Sequence, residues 1–319
     1  MLRISALYGC LAVLLAGCGG VSEASADGKK LTLVAYSTPR EVYAELTKSF
    51  AKTNAGKGVA FDESYGSSGE QSRAVESGLP ADVVAFSLAP DVDRLVEAGI
   101  VADTWAEDQH NGMVTSSVVV FAVRKGNPKG IKTWDDLVRD GVEVITPNPF
   151  TSGGARWNVM AAYGAKKDVD FLRELFRHVS VQDKSARESL QTFTGGKGDV
   201  LLAYENEAIL AQEKGEELDY VVPDQTILIE NPVAVTKGTP SAAGKFLAYI
   251  RSEEAQRVFG KAGYRPVNEA LAGEFQFPKP KGLFTIADVG GWDDVQKRFF
   301  DREDGIMADI QREVGAALE

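Results

Sequence analysis

The chain has 319 residues, of which 44% are hydrophobic and 25% are charged, and its formal net charge is -11 at pH 7. This composition is ordinary for a globular protein and excludes a largely disordered chain. The negative charge argues against nucleic acid or an anionic membrane surface as a partner, because both require a basic protein face. The length fits about two domains of about 150 residues after a short leader.

The first 29 residues have the pattern of an export segment followed by a tether. Arg3 precedes an apolar run up to Leu15 that is long enough for a signal peptide and too short for a membrane span. Residues 15–18 match a lipobox, so we expect removal of the signal peptide 1–17, lipidation of Cys18 and a tether over 18–29. A plain secretory signal with an incidental cysteine is the alternative. The predicted location is the periplasm or the outer face of the cell membrane.

Short β-branched runs alternate with helix-period segments along the rest of the chain, which is typical of βα units and a mostly parallel sheet. Strands are predicted at 31–36, 59–64 and 81–86, with helices beginning near Thr38, Ser68 and Pro90. Thr38 is predicted to be an N-cap with Pro39 in the first turn, and Ser68 is predicted to form a capping box with Gln71.

Two long apolar strands, 116–123 and 227–235, enclose a second set of βα units. In this set, strands are predicted at 142–146, 179–182 and 199–203, and helices from Gly153, Ser185 and Glu205. We interpret the long strands as crossovers between two lobes. The predicted fold is α/β, with residues 30–115 plus 238–319 in one lobe, 116–237 in the other, and a ligand cleft between them. The last third, from Ser241, is predicted to be mostly amphipathic helix broken by prolines.

Several predicted strand-to-helix turns are rich in small and hydroxyl residues: 36–38, 66–69, 151–155 and 185–186. A helix N-terminus exposes unpaired N–H donors and a partial positive charge, and glycine lets a ligand approach the backbone, so each turn predicts an anion cradle. Any one of these turns could equally be an ordinary helix cap. The prediction of an anion-binding site therefore depends on the recurrence of such turns in both lobes. The turns hold no Asp or Glu before the helices begin, which favours a ligand that carries no proton.

Five stretches carry a more specific pattern: 64–71, 123–128, 145–157, 198–208 and 290–292. Together they resemble the sulfate-binding protein family of ABC importers, in the family's order and over essentially the whole mature chain. The resemblance implies a periplasmic-binding-protein-like fold of type II that closes on sulfate. It also implies no cofactor and no catalysis. The implied partners are sulfate or a related oxyanion, the membrane permease of the importer, and the membrane through the lipid anchor.

The resemblance also implies which residues meet the ligand. They are Ser68, Ser152 with the amides of Gly153 and Gly154, the amide of Ala186, and the amide at Ser37. The family commonly has Asp at position 37, but the implied contact is made by the backbone. Tyr204 stands where known sulfate binders have a Trp; its hydroxyl can donate, and a core aromatic is an equal alternative. Asp91 and Arg187 are implied to support the ligand residues, with an ordinary surface ion pair as the alternative.

Two other functions stay open. One is a binder of another oxyanion, molybdate or phosphate; the other is a secreted serine hydrolase, which would need a histidine base beside Ser68 or Ser152. His110 and His178 lack neighbours at metal-ligand spacing, and residues 66–69 lack the G-x-S-x-G spacing of a nucleophile elbow. We therefore predict no metal and no enzymatic activity, with sulfate as the leading ligand and thiosulfate as a second candidate.

Overall fold

The computed structural model of the protein describes residues 30–271 and 273–318. The predicted signal peptide 1–17, the predicted lipidation site Cys18 and the tether 18–29 lie outside the described residues. No helix within the described part is both long and apolar enough to cross a bilayer.

The first third of the chain forms three βα units. Their elements are β1 Lys30–Tyr36, α1 Arg40–Phe50, β2 Ala60–Gly66, α2 Ser68–Glu76, β3 Val83–Ala85 and α3 Ala89–Glu97. Strand β1 lies between β2 and β3 and pairs with both in parallel. The carboxyl ends of these strands therefore meet at one edge, where the helices begin.

Both predicted caps in this region are wrong. Pro39 is the N-cap of α1, with a non-helical ψ of 16°, so the helix begins at Arg40 and the Thr38 side chain caps nothing. Ser67 is the N-cap of α2, and Ser68 is already the first helical residue. The hydroxyl of Ser68 bonds a buried carboxylate instead of the helix backbone, so a tertiary contact replaces the predicted capping box.

The middle of the chain begins and ends with a long strand. Its elements are β4 Met113–Arg124, β5 Val144–Ile145, α4 Gly153–Lys166, α5 Val169–Arg177, β6 Val179–Val181, α6 Ala186–Thr194, β7 Val200–Tyr204, α7 Glu205–Glu213, β8 Leu218–Val221 and β9 Gln225–Val235. The rest contains α8 Ser241–Ile250, α9 Glu253–Lys261, β10 Arg265–Pro266, β11 Gly282–Phe284, α10 Gly291–Phe299 and α11 Ile306–Glu313. Short 3-10 helices lie at Asp103–Ala106, Trp134–Val138, Glu269–Leu271 and Ala287–Val289.

The strand order is β2-β1-β3-β9-β4-β7-β5-β6, so the two long strands lie side by side at the centre. They pair antiparallel with each other. One end of β9 pairs with β3, and one end of β4 pairs with β7. Each long strand therefore runs from one lobe into the other. The predicted two-lobed α/β fold with two crossover strands is confirmed by this topology and by the comparisons reported below.

The C-terminal segment, from β11 to α11, packs on the second lobe. Strand β11 pairs with the start of β9, and Phe299, Met307 and Ile310 share a buried core with Trp157 and Met160 of α4. The expected domain division grouped this segment with the first lobe. The apolar faces of its helices instead cover α4 and α5. An amphipathic pattern predicts that one face of a helix is buried, but it does not identify the element against which that face packs. The remaining lobe boundaries stay a prediction.

Candidate ligand-binding cleft

A small cavity lies between the lobes, where the helix N-termini meet. It is lined by Tyr36, Ser37, Thr38, Gly66, Ser67, Ser68, Ser87, Ser152, Gly153, Gly154, Ser185, Ala186 and Tyr204. All seven predicted ligand residues are in this set. The cavity volume is about 10 Å³, which corresponds to roughly one water-sized sphere. The lobes are therefore closed around a space that suits a small ion and excludes a sugar or peptide.

The walls of the cavity supply backbone N–H groups. Ser68, Gly153 and Ala186 are the first residues of α2, α4 and α6, and the first N–H groups of a helix have no intrahelical partner. Within the described residues, the amides of Ser37, Ser68, Gly153, Gly154 and Ala186 donate to no protein acceptor. Buried unpaired N–H groups are rare because they lose their bonds to water. Five unpaired N–H groups around one cavity, four of them on buried residues, indicate a site built for an acceptor.

Two glycines are required by the close packing of the walls. A Cβ on Gly153 would lie 2.6 Å from the Ser87 Oγ and 2.9 Å from a Leu88 methyl carbon. A Cβ on Gly154 would lie 2.8 Å from the ring of Tyr204. Since Ser87 and Tyr204 are both buried, neither neighbour has room to move away. The first turn of α4 can thus reach the cavity only with glycine at these positions.

The two predicted serines differ in what their hydroxyls offer. Ser152 is the N-cap of α4, and its Oγ accepts from the amide of Ala155 at 3.4 Å, so its proton stays available to a ligand. The Ser68 Oγ donates to Asp91 Oδ2 at 2.5 Å and accepts from the Ser87 amide at 2.9 Å. The hydroxyl proton of Ser68 is therefore already used, and what Ser68 presents to the cavity is its backbone N–H.

Asp91 lies behind Ser68 and not in the cavity. Its side chain is buried, with 2% of the residue exposed, and burial raises its pKa. Besides Ser68, Asp91 holds α2 through its carbonyl oxygen, which accepts from the Ser72 hydroxyl at 2.6 Å. Asp91 thus fixes the first turn of α2 against α3, and with it the direction of the Ser68 amide.

Arg187 also lies outside the cavity and joins the two lobes. Its guanidinium donates to both carboxylate oxygens of Glu207 at 2.9 and 3.0 Å, to both of Glu41 at 2.7 and 3.0 Å, and to the carbonyl of Thr38 at 2.7 Å. Lys214 adds a further bond to Glu41 at 2.6 Å. Burial alone would raise the pKa of Glu41, but the bonds from Arg187 and Lys214 lower it to about 2. Two cations face two carboxylates, so this ion cluster offers no net positive charge to a ligand.

Tyr204 lines the cavity and bonds across the cleft. Its hydroxyl lies 2.6 Å from the Ser87 Oγ, and either group can be the donor. Burial raises the pKa of the phenol, which therefore keeps its proton at neutral pH. When Ser87 donates to Tyr204, the phenol proton is free for a ligand; in the opposite arrangement the bond only closes the cleft.

Thr38 and Ser87 line the cavity but were not among the predicted ligand residues. The Thr38 hydroxyl is buried and has no hydrogen-bond partner within the described residues, so it is available to a ligand. The sequence pattern predicts a helix cap for this hydroxyl, whereas the observed N-cap is Pro39. Ser87 comes just after β3 and fits the rule that selected the other turns, a hydroxyl residue at a strand end.

No charged side chain lines the cavity, and within the described residues no group of three or more His, Cys, Asp or Glu is placed to hold a metal. Neither His110 nor His178 is among the lining residues. The cavity therefore offers main-chain N–H groups and neutral hydroxyls, supported by helix dipoles. This arrangement suits an anion that only accepts hydrogen bonds.

A family model described as bacterial extracellular solute-binding protein matches residues 31–265. The sulfate-binding protein of Synechococcus elongatus is 41% identical over 94% of this chain and 93% of its own length. The sulfate-binding protein SubI of Mycobacterium tuberculosis superposes with a TM-score of 0.83 at 44% identity, over 86% of this chain and 100% of that chain. This chain belongs to the sulfate-binding protein family.

A further member is the thiosulfate-binding protein of Pseudomonas aeruginosa, which is 36% identical over 88% of this chain and 91% of its own length. Membership confirms the family resemblance and the predicted fold. The matched family model describes extracellular solute-binding proteins, so this chain is an extracytoplasmic solute-binding protein and not an enzyme.

Proposed function

We propose that this protein captures sulfate outside the cytoplasm and delivers it to the membrane permease of an ABC importer. The observation that carries the proposal is the convergence of five unpaired amides and the Ser152 hydroxyl on one cavity without a charged lining residue. In this proposal the amides of Ser37, Ser68, Gly153, Gly154 and Ala186 and the hydroxyls of Ser152 and Tyr204 hold the ligand oxygens.

The protonation state of the ligand supports sulfate over phosphate. Sulfate carries no proton at neutral pH and needs donors alone, whereas phosphate keeps a proton that requires an acceptor. A carboxylate would be the strong acceptor, and the lining residues include none. The buried carboxylate of Asp91, which lies behind Ser68, already accepts from the Ser68 hydroxyl. Thiosulfate has the same donor-only requirement and is the second candidate, favoured by the similarity to a thiosulfate-binding relative.

Closure explains how binding is reported to the permease. The closed form joins the lobes through Ser87 and Tyr204, through the Gly69 amide and the Thr151 carbonyl at 3.2 Å, and through Arg187. A ligand that accepts bonds from both lobes adds to these contacts and shifts the population towards closure. The permease then recognises the closed shape. Removal of residues 1–17 and lipidation of Cys18 would tether the protein to the membrane beside it.

The identity of the ligand is tested by thermal unfolding of the mature protein with sulfate, thiosulfate, molybdate and phosphate. A ligand at 100 times its Kd adds about 2.7 kcal/mol of stability. We expect this stabilisation with sulfate, less with thiosulfate, and little with phosphate. Stabilisation by phosphate or molybdate without an effect of sulfate would overturn the proposal.

The position of the site is tested by Gly153→Ala. The added methyl group would press on Ser87 and Leu88, and such overpacking costs about 1–3 kcal/mol, so we expect sulfate binding to fall sharply. The matched control is Gly244→Ala in α8, where a Cβ would meet nothing within 4 Å and helix propensity should improve. Unchanged sulfate affinity in a folded Gly153→Ala protein would place the ligand elsewhere.

A further inference from the structure

The small cavity described above is called the closed cleft from here on. A second, larger cavity of about 890 Å³ lies beside it and is lined by residues of both lobes. Its cations are Arg73, Arg94, Arg156, Lys297 and Arg302, and we call it the arginine pocket. Its carboxylates are Glu70, Asp301 and Glu303. Five cations against three carboxylates make this a locally positive surface on a chain whose net charge is -11.

The cations of the arginine pocket are poorly paired. Within the described part of the chain, Arg94 forms one ion pair, a long one of 3.7 Å to Glu76, and its Nε is buried without a hydrogen-bond partner. The other four cations form no ion pair with a described carboxylate. Arg156 is held by the Pro149 carbonyl at 2.9 Å and by the Gln296 side chain at 2.7 Å, which fixes its position without neutralising its charge.

Two of the three carboxylates of the pocket already accept hydrogen bonds from their own neighbourhood. Asp301 accepts from the amides of Glu303 and Asp304 at 2.8 and 2.9 Å, and Glu70 accepts from the Ser67 hydroxyl at 2.6 Å. The guanidinium groups of Arg73, Arg94 and Arg302 repel that of Arg156. Burial and the neighbouring arginines lower the pKa of Arg156 to about 10, although Asp91 opposes this shift. An anion placed among these groups would relieve that repulsion.

We propose that the arginine pocket is a second binding site, for a small polyanion of the size of a diphosphate or a tricarboxylate. Guanidinium groups bind phosphate and carboxylate oxygens in pairs, so several of them around one cavity match a ligand with several such groups. The volume lies in the range of about 300–1,000 Å³ that is usual for small-molecule sites. A concave pocket of this size favours a small molecule over a flat protein surface.

The proposal is tested by calorimetric titration of the mature protein with inorganic pyrophosphate and, in a separate arm, citrate, at about 0.15 M salt. The variant Lys297→Gln/Arg302→Gln removes two cations of the pocket that touch nothing in the closed cleft. Arg298→Gln is the control, because Arg298 lies next to Lys297 on α10, is exposed, and does not line the pocket. Sulfate titration of all three proteins reports the closed cleft separately.

We expect pyrophosphate or citrate to bind saturably to the wild type and to Arg298→Gln. In Lys297→Gln/Arg302→Gln the affinity for that probe should be at least tenfold weaker. The affinity for sulfate should be the same in all three proteins. Binding of pyrophosphate alone would assign the site to phosphate groups, and binding of citrate alone to carboxylates. The absence of saturable binding of both probes, or an equal loss in Arg298→Gln, would overturn the proposal whatever the sulfate result.

Discussion

The closed cleft and the arginine pocket are both lined by residues at the starts of α2 and α4. In α2, Ser68 faces the cleft and Glu70 lines the pocket; at the start of α4, Ser152 faces the cleft and Thr151 lines the pocket. The cleft has neutral donors in a space of about 10 Å³, and the pocket has side-chain cations around about 890 Å³. Fixed main-chain dipoles select an anion by its shape and protonation, whereas long charged side chains select it mainly by its charge.

The largest effect is expected from breaking the ion cluster that supports the cleft. Arg187→Met leaves the carboxylate of Glu207, which is 1% exposed, buried without its partner. We expect the free energy of unfolding to fall by about 3–5 kcal/mol, measured by urea denaturation. The control is Arg257→Met, since Arg257 also bonds two glutamates but at the surface, where little should be lost. Equal losses in both variants would show that burial of Glu207 is unimportant.

The next effect separates a ligand donor from a helix cap. Ser152→Ala removes a hydroxyl donor to a charged ligand, which contributes about 1.5–3 kcal/mol, so the Kd for sulfate should rise roughly 10- to 100-fold. Ser252 caps α9 with the same geometry, its Oγ accepting from the Ala255 amide at 3.4 Å. Ser252→Ala should therefore lose about 1 kcal/mol of stability and no sulfate affinity. The same Kd for both variants would remove Ser152 from the ligand site.

Salt should affect the two regions differently. Between about 0.1 and 1 M ionic strength the Debye length falls from about 10 to 3 Å, and exposed charges are screened far more than a closed site. We expect pyrophosphate affinity at the arginine pocket to fall on the order of tenfold and sulfate affinity at constant sulfate activity to change less. An equal loss of affinity at both sites, measured by calorimetry in sodium chloride, would show that the two sites do not differ in how their charges are screened.

The smallest effect is a pH dependence of stability from Glu41. Its pKa in the folded protein is lowered to about 2 from an ordinary 4.5, so its contribution is complete above that ordinary value and is lost as the pH falls towards 2. Because the side chain is 37% exposed, we expect less than about 1 kcal/mol. The melting temperature of the wild type should fall more than that of Glu41→Gln between pH 5 and 3. Parallel curves would exclude Glu41 as the cause.

The sequence predicted the strands well because strands that are buried on both faces are nearly continuous apolar, β-branched runs. The strand predicted at 227–235 is observed at Gln225–Val235. The four polar turns were also found, since hydroxyl and glycine residues at strand ends are a local signal. Helix α5 at Val169–Arg177 was missed, although Phe171, Leu172, Leu175 and Phe176 form a regular buried face.

Other features could not be predicted because they depend on tertiary contacts. Thr38 looked like a cap, and only the non-helical backbone of Pro39 shows that its hydroxyl is free. The arginine pocket combines residues from positions 70 to 303, and no local pattern brings them together. The packing partner of the C-terminal helices is likewise a property of the whole fold.

The Arg187 ion cluster has a consequence for the resting protein. Its bonds to Glu41 and Thr38 are made between protein atoms alone, so they favour the closed form independently of the ligand, and a fraction of unloaded molecules should be closed. The measured affinity scales with the fraction of molecules whose conformation can bind the ligand. The Arg187 ion cluster contributes to setting that fraction. Tuning it would change the sulfate concentration at which import begins while every ligand contact stayed the same.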